Sequence, residues 1–250
     1  MLDQTFSFQR NVVELSQLGL NLSAVFDVPQ LPSAITQVLC QNDIELDKYS
    51  SLVLLGNGGT AFWDALDRSG IDQPDPIDRF SLDLTQQLIN CLTPDSQSSA
   101  EQHLILYPQT DFIIPLQQLG ELAGWGTPSP IGNSIHAEFG LWFAFRSAFL
   151  TTVSLPATIV QQRPSPCETC IDKPCQKACP AGAVLENVRQ FKLGQCLDYR
   201  LTPKSACASS CLARQACPIG VEHQYPDWAI QQLYGSSLAS IHAWRAQNRK

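Results

Sequence analysis

The sequence predicts an α+β protein in three parts: a domain of alternating helices and strands, a cysteine-rich metal-binding module, and a helical C-terminal tail. Up to about residue 155, runs with helical three-and-four spacing alternate with short apolar runs of strand character. Eight of the ten cysteines crowd between residues 167 and 217. Between these regions, "LPATIVQQRPSPC" carries Pro156, Pro164 and Pro166, which disfavour regular structure. The expected boundaries are therefore 1–157, a Pro-rich linker over 158–166, a cysteine module over 167–222, and a tail over 223–250.

The elements follow from local pattern. "FQRNVVELSQLGL" predicts a helix over 8–20 and "NLSAVFDV" a strand over 21–28. "SAITQVLCQN" predicts a helix opened by Ser33. In "SSLVLLGNGG" an apolar run stopped by glycines reads as a buried strand, and "TAFWDALDRSG" as the helix after it. Helices over "DRFSLDLTQQLINCL" and "PLQQLGELAGW" flank a strand at "HLILYP". Two further apolar stretches, "GLWFAFRSAFLTTVSL" among them, read as paired strands. "PDWAIQQLYGSSLASIHAWRAQNRK" reads as a helix with Trp228, Leu233 and Trp244 as packing residues. The glycines of "GNGGTAFWD" precede a helix and could cradle phosphate, but they match neither a P-loop nor a dinucleotide fingerprint, so a tight turn is the simpler reading.

The chain has 250 residues, 44% of them hydrophobic, enough to bury a proper core. No apolar run reaches the roughly 20 residues of a membrane span, and the start "MLDQTFSFQRNVVEL" lacks the layout of a signal peptide. The expectation is a cytoplasmic protein with no membrane partner. The net charge of -7 divides into 5 basic against 17 acidic residues over 1–160, or -12, and 11 against 6 over 161–250, or +5. An acidic first part argues against nucleic acid as a partner, since a phosphate backbone demands Lys and Arg. The basic excess of the second part either steers an acidic partner or offsets a negatively charged cofactor.

The cysteine spacing is Cys167-x2-Cys170-x4-Cys175-x3-Cys179-Pro180, then Cys196, then Cys207-x3-Cys211-x5-Cys217-Pro218. Clustered cysteines in a chain of this length favour metal over a disulfide scaffold. Structural zinc uses paired CxxC or Cys/His knuckles, whereas here one CxxC exists and neither His136 nor His223 stands at ligand spacing from it. Cys40 and Cys91, far from the cluster, are expected as ordinary core residues. Two groups of four, each closed by Cys-Pro, resemble the signature of two-cluster bacterial ferredoxins. In such modules three thiolates of a loop hold one cluster and the fourth cysteine reaches the other. The resemblance implies one 4Fe-4S cluster on Cys167, Cys170, Cys175 and Cys217, and a second on Cys179, Cys196, Cys207 and Cys211. The two extra residues before Cys175 and the looser second group depart from that signature.

A second resemblance lies upstream. In "GNSIHAEFGLWFAFRSAFLTTVSLPA", residues 132–157, the positions Ile135, His136, Phe139, Gly140, Trp142, Phe143 and Arg146 resemble a motif of CblC-type cobalamin-processing proteins, as does "DPIDRF" at 75–80. Epoxyqueuosine reductases and reductive dehalogenases share that fold, a flavin-reductase-like (nitroreductase-like) α/β domain followed by a two-cluster module. "CLDYRL" at Cys196 also looks like the former family. The resemblance implies a cobalamin or other corrinoid held near Gly124, Trp125, Gly126, His136, Phe139, Gly140, Trp142 and Phe143. The Gly-Trp-x-Gly-Lys-Asn loop of epoxyqueuosine reductases is incomplete, for no lysine precedes Asn133. The acid that protonates substrate in those enzymes has no counterpart that can be placed, and no helical-repeat domain for tRNA follows the cysteines.

Read without the resemblance, Trp142, Phe143 and Phe145 serve equally as core or as pocket wall, and His136 as a hydrogen-bonded turn residue or an axial ligand. The functions implied are an iron–sulfur reductase or corrinoid-processing protein, an electron carrier without an active site, or a zinc-stapled interaction protein. The first two imply a redox partner such as a ferredoxin, a flavodoxin or a reductase; the first also admits a small-molecule substrate.

Overall fold

The computed structural model describes residues 2–72, 74–92, 102–109, 111–187 and 190–247. In chain order the elements are α1 (Leu2–Gln17), β1 (Leu22–Asp27), α2 (Ser33–Cys40), β2 (Ser51–Gly58), α3 (Ala61–Ser69), α4 (Pro76–Leu92), β3 (His103–Tyr107) and α5 (Leu116–Leu122). They continue with β4 (Thr127–Pro128), β5 (Ser134–Ile135), β6 (Phe143–Thr151), α6 (Pro166–Thr169), α7 (Pro174–Ala178), α8 (Leu193–Arg200), α9 (Leu212–Gln215) and α10 (Asp227–Gln247). The fold is α+β, and the chain divides into two compact units, Met1–Trp125 with Phe143–Gln162, and Gly126–Trp142 with Arg163–Lys250.

The first unit is organised by an antiparallel sheet of order β1-β2-β6-β3. All eight residues of β2 are buried, which is why its sequence is a continuous apolar run and not an alternation. Leu52, Val53 and Leu54 lie opposite Leu150, Phe149 and Ala148 of β6, and all six side chains are fully buried. Each of the larger ones contributes about 1.5–3 kcal/mol through the apolar surface it withdraws from water. The β2–β6 register shifts between Leu55 and Gly56. A Cβ at Gly56 would stand 2.8 Å from the Ala144 carbonyl oxygen and 3.0 Å from the Trp125 ring, so the bulge needs a residue without a side chain.

Helices cover this sheet by their periodicity. In α4 the buried positions Phe80, Leu84, Leu88 and Leu92 recur every fourth residue, and α4 packs on β6 while α1 packs on α4. Two buried hydroxyls in α4 are satisfied along the helix, Ser81 donating to Ile77 O at 2.8 Å and Thr85 to Ser81 O at 2.7 Å. α3, which rests on β2, stops at Gly70 with φ of 64°, a left-handed cap that glycine adopts without strain.

A buried cation sits within this apolar frame. Arg146 of β6 is 5% exposed and donates from Nε to Asn57 Oδ1 at 2.6 Å. Its guanidinium lies over the rings of Phe62 at 4.4 Å and Trp63 at 5.1 Å. Aromatic faces and an amide oxygen together stabilise a charge that burial alone would penalise. Asn57, in the glycine-rich turn considered as a phosphate cradle, is thus engaged with Arg146.

Apart from α10, the second unit is built of short helices and a hairpin of two-residue strands. Ile131, Ile135, Leu141, Val184, Ala213 and Cys217 form its buried cluster, and Cys167, Cys175, Cys179, Phe191, Cys211 and Ile219 pack against it. The hairpin β4–β5 continues into a turn in which His136 and Gly140 exchange backbone hydrogen bonds of 2.8 and 3.1 Å. Gly140, with φ of 57°, and Gly220, with φ of 69°, meet backbone to backbone. A Cβ on Gly140 would fall 1.9 Å from Ile219 O, and one on Gly220 would fall 2.4 Å from the Phe139 carbonyl carbon.

Several expectations are corrected. α1 begins at Leu2, six residues before the expected start. The apolar run over 140–155 makes one strand, β6, paired on both sides by β2 and β3; a strand buried between two neighbours needs apolar residues on both faces. The boundary at 157 fails in two ways. Residues 126–142 belong with the cysteine unit, because Ile131, Ile135 and Leu141 supply half of its buried cluster. The start of the expected linker belongs with the sheet, because Thr158 extends the edge of β1 through its backbone N–H to Val25 O and through its hydroxyl from Val25 N, both 2.9 Å. Cys40 is exposed at the end of α2, and Cys91 is half-buried and donates to Asn11 Oδ1 at 3.2 Å. Trp228 and Trp244 of α10 are 40% and 55% exposed, since the buried face of that helix runs through Ala229 and Ile230 near its start. No helix among the described residues is long and apolar enough to cross a membrane.

Candidate metal centre

Short helices and turns deliver the eight clustered cysteines. Ser165 caps α6, its hydroxyl accepting from the Cys167 N–H, and Thr127 donates to the Ser165 hydroxyl at 2.8 Å. Lys173, in the left-handed conformation with φ of 41°, absorbs the two extra residues between Cys170 and Cys175. Lys173 Nζ is bound to Glu186 at 2.9 Å, and Pro174 then opens α7. Cys196 lies in α8, Cys211 precedes α9, and Cys217 follows it.

The thiols sort into two groups by proximity. Cys167 feels the charges of Cys217, Cys175 and Cys170, and burial first, then these neighbours, push it up to about 11. Cys175 is raised by burial and by Cys217 and Cys170, and Cys217 by burial and by Cys170. In the second group Cys196 is pushed up to about 11 by burial and then by Cys211, Cys179 and Cys207. Cys207 is raised by burial and by Cys211 and Cys179. Gathering four thiols in a partly desolvated place disfavours their anions, so each quartet calls for a cation to share. The nearby backbone amides of Gln176, Leu212 and Ile219 oppose the rise at Cys175, Cys207 and Cys217. Among the described residues no three His, Cys, Asp or Glu side chains close around a single ion position.

The residues that the upstream resemblance assigned to a corrinoid are divided between the units. Gly124, Trp125 and Phe143 are in the sheet unit, and Gly126, His136, Phe139, Gly140 and Trp142 in the cysteine unit. Trp125 is 6% exposed and stacks on Phe145 with centroids 6.2 Å apart. Phe143, also buried, meets Phe145 edge-on at 5.8 Å. Trp142 is 1% exposed, edge-on to Tyr225 and beneath the Arg214 guanidinium at 4.6 Å. Gly124 and Gly140, both at positive φ, stand in close packing, the first against the Val160 side chain and Gln161 O, the second against Ile219 O. His136 Nδ1 accepts the N–H groups of Glu138 at 3.0 Å and Phe139 at 3.1 Å, which puts the neutral ring's proton on Nε2 and leaves no lone pair for an axial bond. Its pKa is lowered to about 4, mainly by burial, with Arg163 and His223 adding and Glu138 opposing. These residues fit a packed core and a turn better than the walls of a corrinoid site.

Sequence reasoning missed three residues beside the second quartet: Arg200, Arg214 and Tyr234. Arg200 stands four positions after Cys196, on the same face of α8, a spacing that could have flagged it. Arg214 and Tyr234 carry no sequence signal, because their neighbours in space are distant in the chain.

No protein-family model matches the sequence, and no curated protein matches it. Solved structures do match, at low identity. A crystal structure of epoxyqueuosine reductase with a tRNA-Tyr epoxyqueuosine-modified tRNA stem loop superposes with a TM-score of 0.57 and 13% identity, over 89% of this chain and 68% of that one. Epoxyqueuosine reductase from Streptococcus thermophilus gives 0.55 and 12%, over 87% and 67%. The enzyme from Bacillus subtilis, with its catalytic loop swung out of the active site, gives 0.55 and 14%, over 89% and 68%. The chain therefore has the fold of epoxyqueuosine reductases, a likeness of architecture across most of its length.

Proposed function

We propose that this chain is an iron–sulfur redox protein. One 4Fe-4S cluster is held by Cys167, Cys170, Cys175 and Cys217, and the other by Cys179, Cys196, Cys207 and Cys211. The protein passes single electrons from these clusters to an acceptor in a reductase role. The observation that carries this reading is the sorting of the eight thiols: Cys179 departs from its own segment to join Cys207 and Cys211, and Cys217 crosses to join Cys167 and Cys175. That exchange is what a crossed two-cluster module requires. When bound, such clusters supply one-electron chemistry. The chain's own part is to fix the thiolates, aim backbone amides at sulfur and limit access of water.

The acceptor implied by the resemblance is a corrinoid, in a reductase or corrinoid-processing role. The close packing of Trp125, Trp142 and Phe143, and the occupied Nδ1 of His136, favour a second reading, an electron carrier with no active site of its own. The acidic first part is no ground for excluding nucleic acid as a substrate, since one protein of this fold holds a tRNA stem loop. A small-molecule substrate and a protein electron donor complete the proposal.

Anaerobic purification followed by iron and acid-labile sulfide analysis tests the clusters; zinc in their place, or neither metal, would end this reading. Adding hydroxocobalamin to the reduced protein separates the two versions, a base-off spectrum favouring the corrinoid enzyme and an unchanged one the carrier.

A further inference from the structure

The two quartets differ in what surrounds them. Beside the first, the nearby cation is Lys173, whose ammonium is matched by the Glu186 carboxylate at 2.9 Å on an exposed surface. Beside the second stands Arg200, 8% exposed, whose donors go to uncharged oxygens: Cys207 O at 3.2 Å, Tyr234 O at 3.0 Å and Ser237 Oγ at 3.0 Å. Its guanidinium also lies 5.2 Å from the Tyr234 ring centroid, and its bond to the Cys207 carbonyl sets it against the second quartet. Arg214 brings a second guanidinium, fixed by two bonds to Leu141 O at 3.0 and 2.6 Å and by the rings of Trp142 and Tyr225. The Tyr234 phenol stands within reach of both Arg214 and the Cys211 sulfur.

Reducing a cluster adds one negative charge. A positive charge in a half-buried place and a hydrogen bond to a ligand sulfur both favour the reduced state, more strongly than an exposed cation already paired with a carboxylate. We infer that Arg200 and Tyr234 set the two clusters at unequal potentials, with the one on Cys179, Cys196, Cys207 and Cys211 the easier to reduce. Electrons rest on that cluster, and the other is the stronger donor. Tyr234 and Ser237 belong to α10, so the C-terminal helix has a role in redox poise. This inference rests on the two-cluster reading above.

The test is a dithionite titration of the anaerobic holoprotein followed by electron paramagnetic resonance, dithionite supplying one electron per cluster. Two resolved steps are expected. Tyr234→Phe should move the higher step to lower potential and leave the lower step in place. Arg200→Gln should move it further, and Arg200→Lys should restore most of the change, an outcome that a merely structural role for Arg200 would not produce. Tyr234→Phe keeps its ring and tests the idea even if Arg200→Gln loses its second cluster. Holoprotein with iron and sulfide for two clusters, but with the higher step unmoved in Tyr234→Phe, or with both steps moved equally, would overturn the inference alone. Protein lacking that iron and sulfide would overturn the two-cluster reading and the inference with it.

Discussion

The sheet unit buries Leu52, Val53, Leu54, Leu88, Leu92, Phe149 and Leu150 without remaining exposure, while in the cysteine unit a cluster of six buried residues, one of them Cys217, is surrounded by partly buried thiols. The first gains its stability from apolar area and strand pairing. The second brings together groups whose ionised forms repel one another, in segments with helices of only four to eight residues between Pro166 and Gln215. A metal cluster bound by those thiols would convert binding energy into folding energy. On the two-cluster proposal, one chain pairs a self-sufficient core with one that would lean on its cofactor.

Stripping iron with a chelator and an oxidant tests this contrast most severely. Hydrogen exchange should lose protection across residues 163–247, while the amides of β2 and β6 keep theirs; equal loss in both would erase the distinction. Next in size, Phe149→Ala, at a site with no exposure, should cost about 3–5 kcal/mol in urea unfolding of the sheet unit, with iron content per folded molecule unchanged. Gly140→Ala should cost at least about 2 kcal/mol, from backbone strain and from the 1.9 Å approach to Ile219 O, and should lower iron content.

The smallest effect concerns His136. An unfolded histidine protonates near 6.5, whereas the buried ring resists down to about 4. As pH falls between those values the unfolded state takes up a proton that the native state does not, so stability declines. Glu138 opposes the shift and Arg163 and His223 reinforce it. Allowing for partial exposure, the decline should reach about 1–2 kcal/mol. His136→Asn, whose amide oxygen can accept the same two N–H groups, should show a shallower dependence of the urea midpoint between pH 7 and 5 than the parent.

Legibility in the sequence followed the range of the interaction. β2, α3, α4 and the cysteine spacing could be read because apolar period, glycine stops and short-range ligand patterns are local signals. The placement of 126–142 could not, since its partners Val184, Ala213 and Cys217 lie some forty residues or more further along the chain. Aromatic content misled in both directions. Trp228 and Trp244 look like packing residues but are largely exposed, and Trp142 looks like a platform for a ligand but is sealed in the core. Charge was less legible: nothing local distinguishes Arg214, held against the rings of Trp142 and Tyr225, from an arginine on the surface.

The backbone contact between Gly140 and Gly220 bears on how the chain is made. A ribosome delivers β6 directly after the hairpin at 127–135, so β2 and β6 can zip together while the turn at His136 still waits for a partner some eighty codons away. At translation rates of about 5–20 residues per second, that turn and its apolar residues Ile131, Ile135 and Leu141 stay uncovered for several seconds in every nascent molecule.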